Sequence, residues 1–250
     1  MEHTPTNRVL IIIPAFDEEP HVAAVVRGAR DAFPGAEILV VDDGSTDRTG
    51  EMALGAGARV ARHPFNMGYG AALQTGFIYA LSRGCTHAVT LDGDGQHDPA
   101  FIPGLLAPVL EGRADVAVGS RFLEKGGYRP PFRRRAGMLL FGFLASALSG
   151  RRVTDPTSGF QAVNRRALSL FATRHYPQDF PDADVLILLS RAGLSVTEVP
   201  VSMRPAPDSS SMHSGFKPLY YVFKMLLSIA LAAAGDRPPG LESGRGKGEE

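Results

Sequence analysis

The chain alternates short apolar runs with longer segments in which apolar residues recur every three or four positions. The short runs are rich in valine and isoleucine and predict β-strands, whereas the longer segments predict amphipathic helices. Strands that are apolar at nearly every position are typical of a parallel sheet covered on both faces, so the pattern predicts a three-layer α/β fold. The predicted strands are Arg8–Ile13, Glu37–Val41, Arg59–Ala61, His87–Leu91, Val116–Val118 and Val196–Val201, and the predicted helices span about 18–33, 46–56, 69–83 and 99–111.

Acidic residues follow three of these strands, each at the same end. The first strand runs into "PAFDEE", the second into "DDGSTD" and the fourth into "DGDGQHD". Acids that served only solubility would be scattered over the surface. Since ligands of parallel α/β sheets bind at the carboxyl ends of the strands, we predict that the three clusters form one shared site.

The loop after the fourth strand sets Asp92 and Asp94 side by side with glycines between them. Two carboxylates this close repel each other unless a positive charge joins them. With Gln96 they offer the hard oxygen ligands that suit Mg²⁺ or Mn²⁺. A calcium loop is excluded because His97 stands at its glycine position. Mg²⁺ usually takes one or two carboxylates and completes its shell with water and phosphate, so the loop predicts a metal–diphosphate site.

The loop after the second strand indicates a nucleoside contact. Two adjacent acids end that strand, and the second, Asp43, could accept from a nucleobase N–H or a ribose hydroxyl. A helix capped by Ser45 or Thr46 is expected to follow. Gly68 and Gly70 open the next predicted helix. Their G-x-G spacing is compatible with tight packing and with nucleotide contact, and both interpretations stay open.

Length, charge and cysteine content narrow the class of protein. The 250 residues suit one large α/β domain, and Lys plus Arg (26) equals Asp plus Glu (26), so no overall charge points to nucleic acid. The single cysteine, Cys85, excludes an internal disulfide and a cysteine-based zinc site and is expected to be a buried thiol.

Six motifs occur in an order that resembles the family-2 inverting glycosyltransferases of the GT-A fold. They are "PAFDEE", "DDGSTD", "NMGYGAALQTG", "LDGDGQHDP", "GSRF" and "DPTSGFQAVNR". The likeness covers about residues 8–230 and is nearest to dolichyl-phosphate mannose and glucose synthases and their bacterial polyprenyl-phosphate relatives. It implies a GT-A-type three-layer α/β/α domain over 8–215 with a mostly parallel, Rossmann-like sheet. It also implies metal-dependent transfer of one hexose from a UDP- or GDP-linked sugar to a polyprenyl phosphate, in cell-envelope biogenesis.

The resemblance also implies roles for individual residues. The nucleotide-sugar pocket is expected to be lined by Pro14, Ala15, Asp17, Glu18 (or Glu19), Asp43, Gly68, Asp92 and Gly93. The divalent ion, Mg²⁺ or Mn²⁺, is expected to be held by Asp92, Asp94 and Gln96. Arg121 and Arg204 would meet phosphates, and Asp155 would lie near the acceptor. In relatives glycines commonly follow the second arginine, but here Pro205, Pro207 and Asp208 do, which puts the role of Arg204 in doubt.

The sequence leaves three functions open. The first is hexose transfer to a phosphate acceptor, which is already an anion and requires arginines rather than a strong base. The second is transfer to a sugar or small-molecule hydroxyl, which would need a base, and Asp182 and Asp184 are the candidates for it. The third is a catalytically silent nucleotide-sugar binding protein. A processive polymerase is not expected, because the chain has no tryptophan and therefore lacks the Q-x-x-R-W motif.

The terminal segments and two apolar stretches suggest peripheral membrane attachment. Residues 1–7 and 235–250 are polar or rich in glycine and proline and are predicted to be disordered. The stretches 136–150 and 219–235 fall short of the roughly 20 apolar residues that span a bilayer. Basic residues precede the first stretch, and an amphipathic helix is predicted over 216–234, so we expect a cytoplasmic protein on the inner face of the cell membrane, in contact with lipid or a membrane partner. Core or dimer-interface helices are the alternative.

Overall fold

The computed structural model describes residues 7–123, 153–177 and 183–204, and within them seven strands form one sheet. The strands are β1 Val9–Ala15, β2 Glu37–Asp42, β3 Arg59–Arg62, β4 His87–Thr90, β5 Val116–Ser120, β6 Gln161–Asn164 and β7 Val196–Pro200. The helices are α1 Val22–Ala32, α2 Thr49–Gly55, α3 Tyr69–Ser82, α4 Ile102–Leu110, α5 Arg165–Phe171 and α6 Ala183–Arg191. A 3₁₀ turn, Pro99–Phe101, leads into α4.

The sheet is mixed but mostly parallel, with the order β3-β2-β1-β4-β6-β5-β7. Only β6, among these seven strands, runs antiparallel to its neighbours β4 and β5. The segment that enters β6 therefore arrives at the edge where the other strands end, since Gln161 pairs with Thr90 and Val118. The predicted α/β fold is confirmed; β6 itself was missed, because "QAVN" is too short to show a period.

Helices cover both faces of the sheet, as the apolar strands predicted. Along β1, Leu10 and Ile12 pack on one side with α3, α5 and α6, while Ile11 and Ile13 pack on the other with α1, α2 and α4. This alternation follows from the two-residue period of a strand, and it produces the three layers. Cys85 is buried in the first of these clusters, where burial raises the pKa of its thiol.

Aspartates bond the first turns of two helical segments. Asp98 accepts a hydrogen bond from the Ala100 amide at 3.1 Å, with Pro99 next to it. The second helix, α2, begins at Thr49 rather than near residue 46, so the predicted cap by Ser45 or Thr46 is wrong. The Asp47 carboxylate accepts from the Thr49 amide instead, at 2.9 Å.

Several expectations lie outside the described residues. They are the disordered termini (apart from residue 7), the apolar stretches 136–150 and 219–235, the amphipathic helix over 216–234, Asp182, and Pro205, Pro207 and Asp208. In the part of the chain that the structure describes, no helix is long and apolar enough to cross a membrane.

Candidate active site

The loops after β1 and β2 are bound to each other. The Ala15 carbonyl accepts the Asp43 amide at 2.9 Å, and Asp17 adopts a left-handed backbone with φ 55°. In that conformation the Asp17 amide donates to the Ser45 hydroxyl at 3.1 Å, and its carboxylate accepts from the Thr46 amide at 2.7 Å. These contacts bring two of the three acidic clusters together.

The loop after β4 lies against the same strand end. The Gly93 amide is 3.3 Å from the Pro14 carbonyl. A Cβ at Gly93 would stand 3.1 Å from both that oxygen and the Ala15 Cβ, so glycine permits the close approach. Asp94 and Gln96 sit together in this loop: one Asp94 oxygen accepts the Gln96 backbone amide at 2.9 Å and the other accepts its side-chain amide.

Asp92 is held by a residue that the sequence did not single out. The Tyr69 hydroxyl donates to Asp92 Oδ1 at 2.7 Å. The Asp92 amide donates to His97 Nδ1 at 3.1 Å, so the proton of that imidazole is on Nε2. The 3.6 Å approach of His97 Nδ1 to Asp92 Oδ2 is consequently not an ion pair. His97 also stacks on Phe160, with ring centroids 5.1 Å apart.

The pKa of Glu18 reflects the burial and the negative charge at this edge of the sheet. Its pKa is raised from 4.5 to about 7, first by burial and then by the negative charges of Asp94 and Asp92. The neighbouring Glu19 instead bonds the Arg48 guanidinium, with Nε at 2.9 Å, and the pKa of Glu19 is lowered by that bond. Glu18 rather than Glu19 therefore belongs to the acidic cluster, which we define as Glu18, Asp92 and Asp94.

The acidic cluster suits a cation that is shared with a ligand. Across residues 7–123, 153–177 and 183–204, no three Asp, Glu, His or Cys side chains converge tightly enough to hold a metal by themselves. A Mg²⁺-type ion does not require such a group, because phosphate oxygens and water complete its shell. The charges of Asp94 and Asp92 act on Glu18 in addition to its burial, so negative charge is concentrated here and a divalent ion fits the residues present.

Both carboxylate oxygens of Asp43 accept hydrogen bonds from the protein. One of its oxygens accepts from the Met67 amide at 2.9 Å and lies 2.6 Å from His63 Nδ1, and the other accepts from the Gly68 amide at 2.9 Å. His63 Nε2 lies 2.9 Å from the Thr75 hydroxyl. Asp43 and Gly68 were predicted to contact the nucleotide separately, whereas the structure bonds them to each other. Their contact with a nucleotide stays a prediction.

Arg121 and Asp155 form a bidentate ion pair. Arg121 Nε and Nη2 each donate to an Asp155 oxygen at 2.7 Å, and Asp155 is fully buried. The sequence assigned the two to different substrate groups; in the structure they face each other. Glu198 supports the pair from β7, because it accepts from the Thr154 and Asp155 amides, each at 2.9 Å. The only sequence signal for Glu198 is an acid inside the apolar strand "VTEVP".

Arg204 lies beside the β4 loop. Its amide donates to the Gln96 carbonyl at 2.8 Å, and its exposed guanidinium is 3.4 Å from an Asp98 oxygen. The chain after β7 thus follows the loop that carries Asp94. By contrast Asp184 is buried in the first turn of α6, where it accepts from the Val185 amide at 2.9 Å.

This mixed sheet with its acidic carboxyl edge is the arrangement that the resemblance to the GT-A glycosyltransferases implies. The chain belongs to glycosyl transferase family 2, whose family model matches residues 10–171, and the prediction of a family-2 hexosyltransferase is confirmed. It is 35% identical over 231 residues to polyprenol monophosphomannose synthase of Mycolicibacterium smegmatis, which covers 88% of this chain and 86% of that one. It is 32% identical over 217 residues to undecaprenyl-phosphate mannosyltransferase of Micrococcus luteus, covering 83% and 88%.

A solved structure shows the same fold. Glucosyl-3-phosphoglycerate synthase from Mycobacterium tuberculosis, crystallised with Mn²⁺, uridine diphosphate and glucosyl-3-phosphoglycerate, superposes with a TM-score of 0.68 at 24% identity. The match covers 93% of this chain and 81% of that chain. It confirms the GT-A architecture that the motifs implied.

Proposed function

We propose that the protein transfers one hexose from a UDP- or GDP-linked sugar to a polyprenyl phosphate, with inversion and with the help of Mg²⁺ or Mn²⁺. The observation that carries this proposal is the acidic cluster at the ends of β1 and β4, where burial and then the negative charges of Asp94 and Asp92 raise the pKa of Glu18 to about 7. The two bacterial relatives, both named for transfer of mannose to a polyprenyl carrier, support the acceptor class.

The divalent ion would be held by Asp94 and Gln96, with Asp92 beside them. It would neutralise the negative charge that develops on the departing nucleoside diphosphate. The contact between Asp94 and Gln96, in which both Asp94 oxygens accept from Gln96 N–H groups, keeps the two side chains adjacent and supports this assignment. Arg204, whose amide donates to the Gln96 carbonyl of the same loop, would bring a positive charge to the diphosphate.

The state of Asp184, the candidate base that lies among the described residues, favours a phosphate acceptor. A hydroxyl acceptor needs a general base in the site, but Asp184 is buried and bonds the amide of its own helix. A phosphate oxygen is already anionic near neutral pH and needs only to be held. Arg121 is the candidate for holding it, because the Asp155 carboxylate fixes its guanidinium plane. The long acceptor would reach the enzyme at a membrane, where residues 129–152 and 216–234 provide the basic and apolar segments for attachment.

The test is a transfer assay with defined acceptors. Purified protein is incubated with GDP-mannose or UDP-glucose, with Mn²⁺, and with either a short polyprenyl phosphate or the matching polyprenol. We expect lipid-linked hexose only with the phosphate, and no product after removal of the metal with EDTA. Product formed only on the polyprenol or on a free sugar would establish the hydroxyl-acceptor enzyme instead. Nucleotide-sugar binding without turnover on any acceptor would establish a silent binding protein.

Membrane attachment is tested separately. Arg133, Arg134 and Arg135 are replaced together by glutamate, and the cell lysate is fractionated without detergent. We expect the triple variant to leave the membrane fraction while its transfer rate to a detergent-dispersed acceptor stays unchanged. Undiminished membrane partitioning would contradict attachment through this basic segment.

A further inference from the structure

The start of α3 contacts both acidic loops of the site. The Met67 and Gly68 amides donate to the two oxygens of Asp43, and the Tyr69 hydroxyl, one residue later, donates to Asp92. Three consecutive residues therefore bind a carboxylate after β2 and a carboxylate after β4. Since α3 packs on β1 and β2 through buried residues, the sheet supports this connection.

The contact between Tyr69 and Asp92 is built around a glycine. A Cβ at Gly159 would stand 2.4 Å from the Tyr69 hydroxyl and 3.1 Å from Asp92 Oδ1. No side chain fits at that spacing unless the hydroxyl or the carboxylate moves. Gly159 is itself held in place, since its carbonyl accepts from the Thr90 hydroxyl at 2.6 Å. The phenol, the carboxylate and the glycine backbone thus come from three separate segments and meet at one point.

We propose that Tyr69 is a positioning residue for donor binding. Its hydroxyl occupies Asp92 Oδ1 and fixes the carboxylate rotamer, which leaves Oδ2 to meet the donor or a water on its metal ion. His97 does not compete for Oδ2, because its Nδ1 accepts the Asp92 amide and carries no proton. This role rests on the proposed function in one respect only, namely that Asp92 helps to bind a nucleoside diphosphate.

Loss of the hydroxyl is expected to weaken donor binding. A hydrogen bond to a charged group contributes enough that its loss corresponds to roughly a tenfold change in an equilibrium constant. In Tyr69→Phe the ring remains, so packing at the start of α3 is kept while Asp92 gains rotational freedom. The effect should fall on binding of the donor, not on the acceptor.

The chain offers a matched control on the same helix. Tyr79 also lies in α3 and donates its hydroxyl to a carboxylate, Glu37 Oε1, at 2.8 Å. Glu37 begins β2 and therefore stands at the opposite edge of the sheet. Tyr79→Phe removes the same atom and the same type of bond at a distance from the site.

The experiment compares the two variants by calorimetry and by kinetics. UDP and GDP are each titrated into the protein with Mn²⁺ present, and KM values are measured for donor and acceptor. For Tyr69→Phe we expect the nucleotide Kd and the donor KM to rise about tenfold, with kcat within about twofold and the acceptor KM unchanged. Tyr79→Phe should match the wild type in all four. Equal nucleotide Kd values for the two variants would overturn the proposal.

A double-mutant cycle with Gly159→Ala separates positioning from general disturbance. The alanine Cβ displaces the Tyr69 hydroxyl, so Gly159→Ala should raise the nucleotide Kd in the wild-type background and clearly less in the Tyr69→Phe background. Fully additive effects would contradict the shared contact. Since the Kd is measured without an acceptor, a wild-type enzyme that uses a hydroxyl acceptor would refute the proposed function and leave this test intact.

Discussion

Buried acids at the two edges of the sheet have opposite pKa shifts. Asp115 lies at the amino edge, where most of the strands begin, and its burial would raise its pKa. Hydrogen bonds from the Ser195 amide, Asn164 and the Ser195 hydroxyl, together with the charge of Arg166, outweigh the effect of burial and hold the pKa of Asp115 below its ordinary value. At the carboxyl edge, burial and the neighbouring carboxylates raise the pKa of Glu18 to about 7. The fold neutralises the first charge and leaves the second for a ligand.

The Arg121–Asp155 pair shares one feature with each of these two acids. It lies at the carboxyl edge, like the acidic cluster, yet its charges are matched by each other. Charge balance within the protein, rather than position at an edge, therefore separates groups whose charge the protein itself neutralises from groups whose charge is left for a cation. Substitutions at the three places should divide accordingly between activity and stability.

The largest expected effect is on turnover at Asp94. Asp94→Asn keeps the size of the side chain but removes the charge that would hold the ion, so we expect at least about a thousandfold loss of transfer, on the order of 4 kcal/mol. The melting temperature should stay within about 2 °C of the wild type, because the bonds of Asp94 to Gln96 are local. Asp31→Asn, on the exposed side of α1, is the control. Wild-type activity of the Asp94 variant would remove this residue from the site.

The next effect is on stability at Asp155. Asp155→Ala leaves the Arg121 guanidinium, which is mostly buried, without its bidentate partner, so the free energy of unfolding should fall by about 3–5 kcal/mol in urea titrations. Glu111→Ala breaks the exposed pair with Arg113 and should cost less than about 1 kcal/mol. Similar losses for the two variants would show that the buried pair is not a stability element.

Asp115 should affect stability and leave transfer unchanged. Asp115→Ala removes an acceptor that the Ser195, Asn164 and Arg166 donors share, and we expect a loss of about 2–3 kcal/mol at pH 7. Because the folded pKa is lowered, this stabilisation is present above the unfolded pKa of about 3.9 and is lost as the pH falls through the folded value. The gap between variant and wild type, measured by urea unfolding, should therefore narrow below about pH 4. A gap that stays constant to pH 2 would contradict the charge argument.

The smallest effect is expected at Glu18, where the substitution should raise the stability of the protein instead of lowering it. Its folded pKa is raised from 4.5 to about 7, so its contribution to stability is present below pH 4.5 and is lost as the pH rises through 7. Glu18→Gln should therefore stabilise the metal-free protein at pH 8 by about 1 kcal/mol, a few degrees in melting temperature, after allowance for its partial exposure. At pH 4.5 the two proteins should melt together. Equal melting temperatures at pH 8 would show that the acidic cluster carries no unbalanced charge.

Much of the candidate site could be predicted from the sequence because acids at strand ends are a local signal. The strand periods placed Glu18, Asp43, Asp92 and Asp94 at one edge, and the structure brings those loops into contact. The pairing of Arg121 with Asp155 could not be predicted, since each residue separately suits a substrate phosphate or an acceptor. Glu198 and His63 were missed for the same reason, because a single polar residue in a strand or loop gives no pattern.

The sequence by itself determined the alternation of elements, the three-layer fold and the family, since periodicity and motif order depend on near neighbours in the chain. Only the tertiary structure decided which charges are neutralised. Tyr69 reaches Asp92 across 23 positions, and Asp155 meets Glu198 across 43. Such partners are chosen by the packing of helices on the sheet. The balance of charge at each buried acid is consequently a property of the folded molecule.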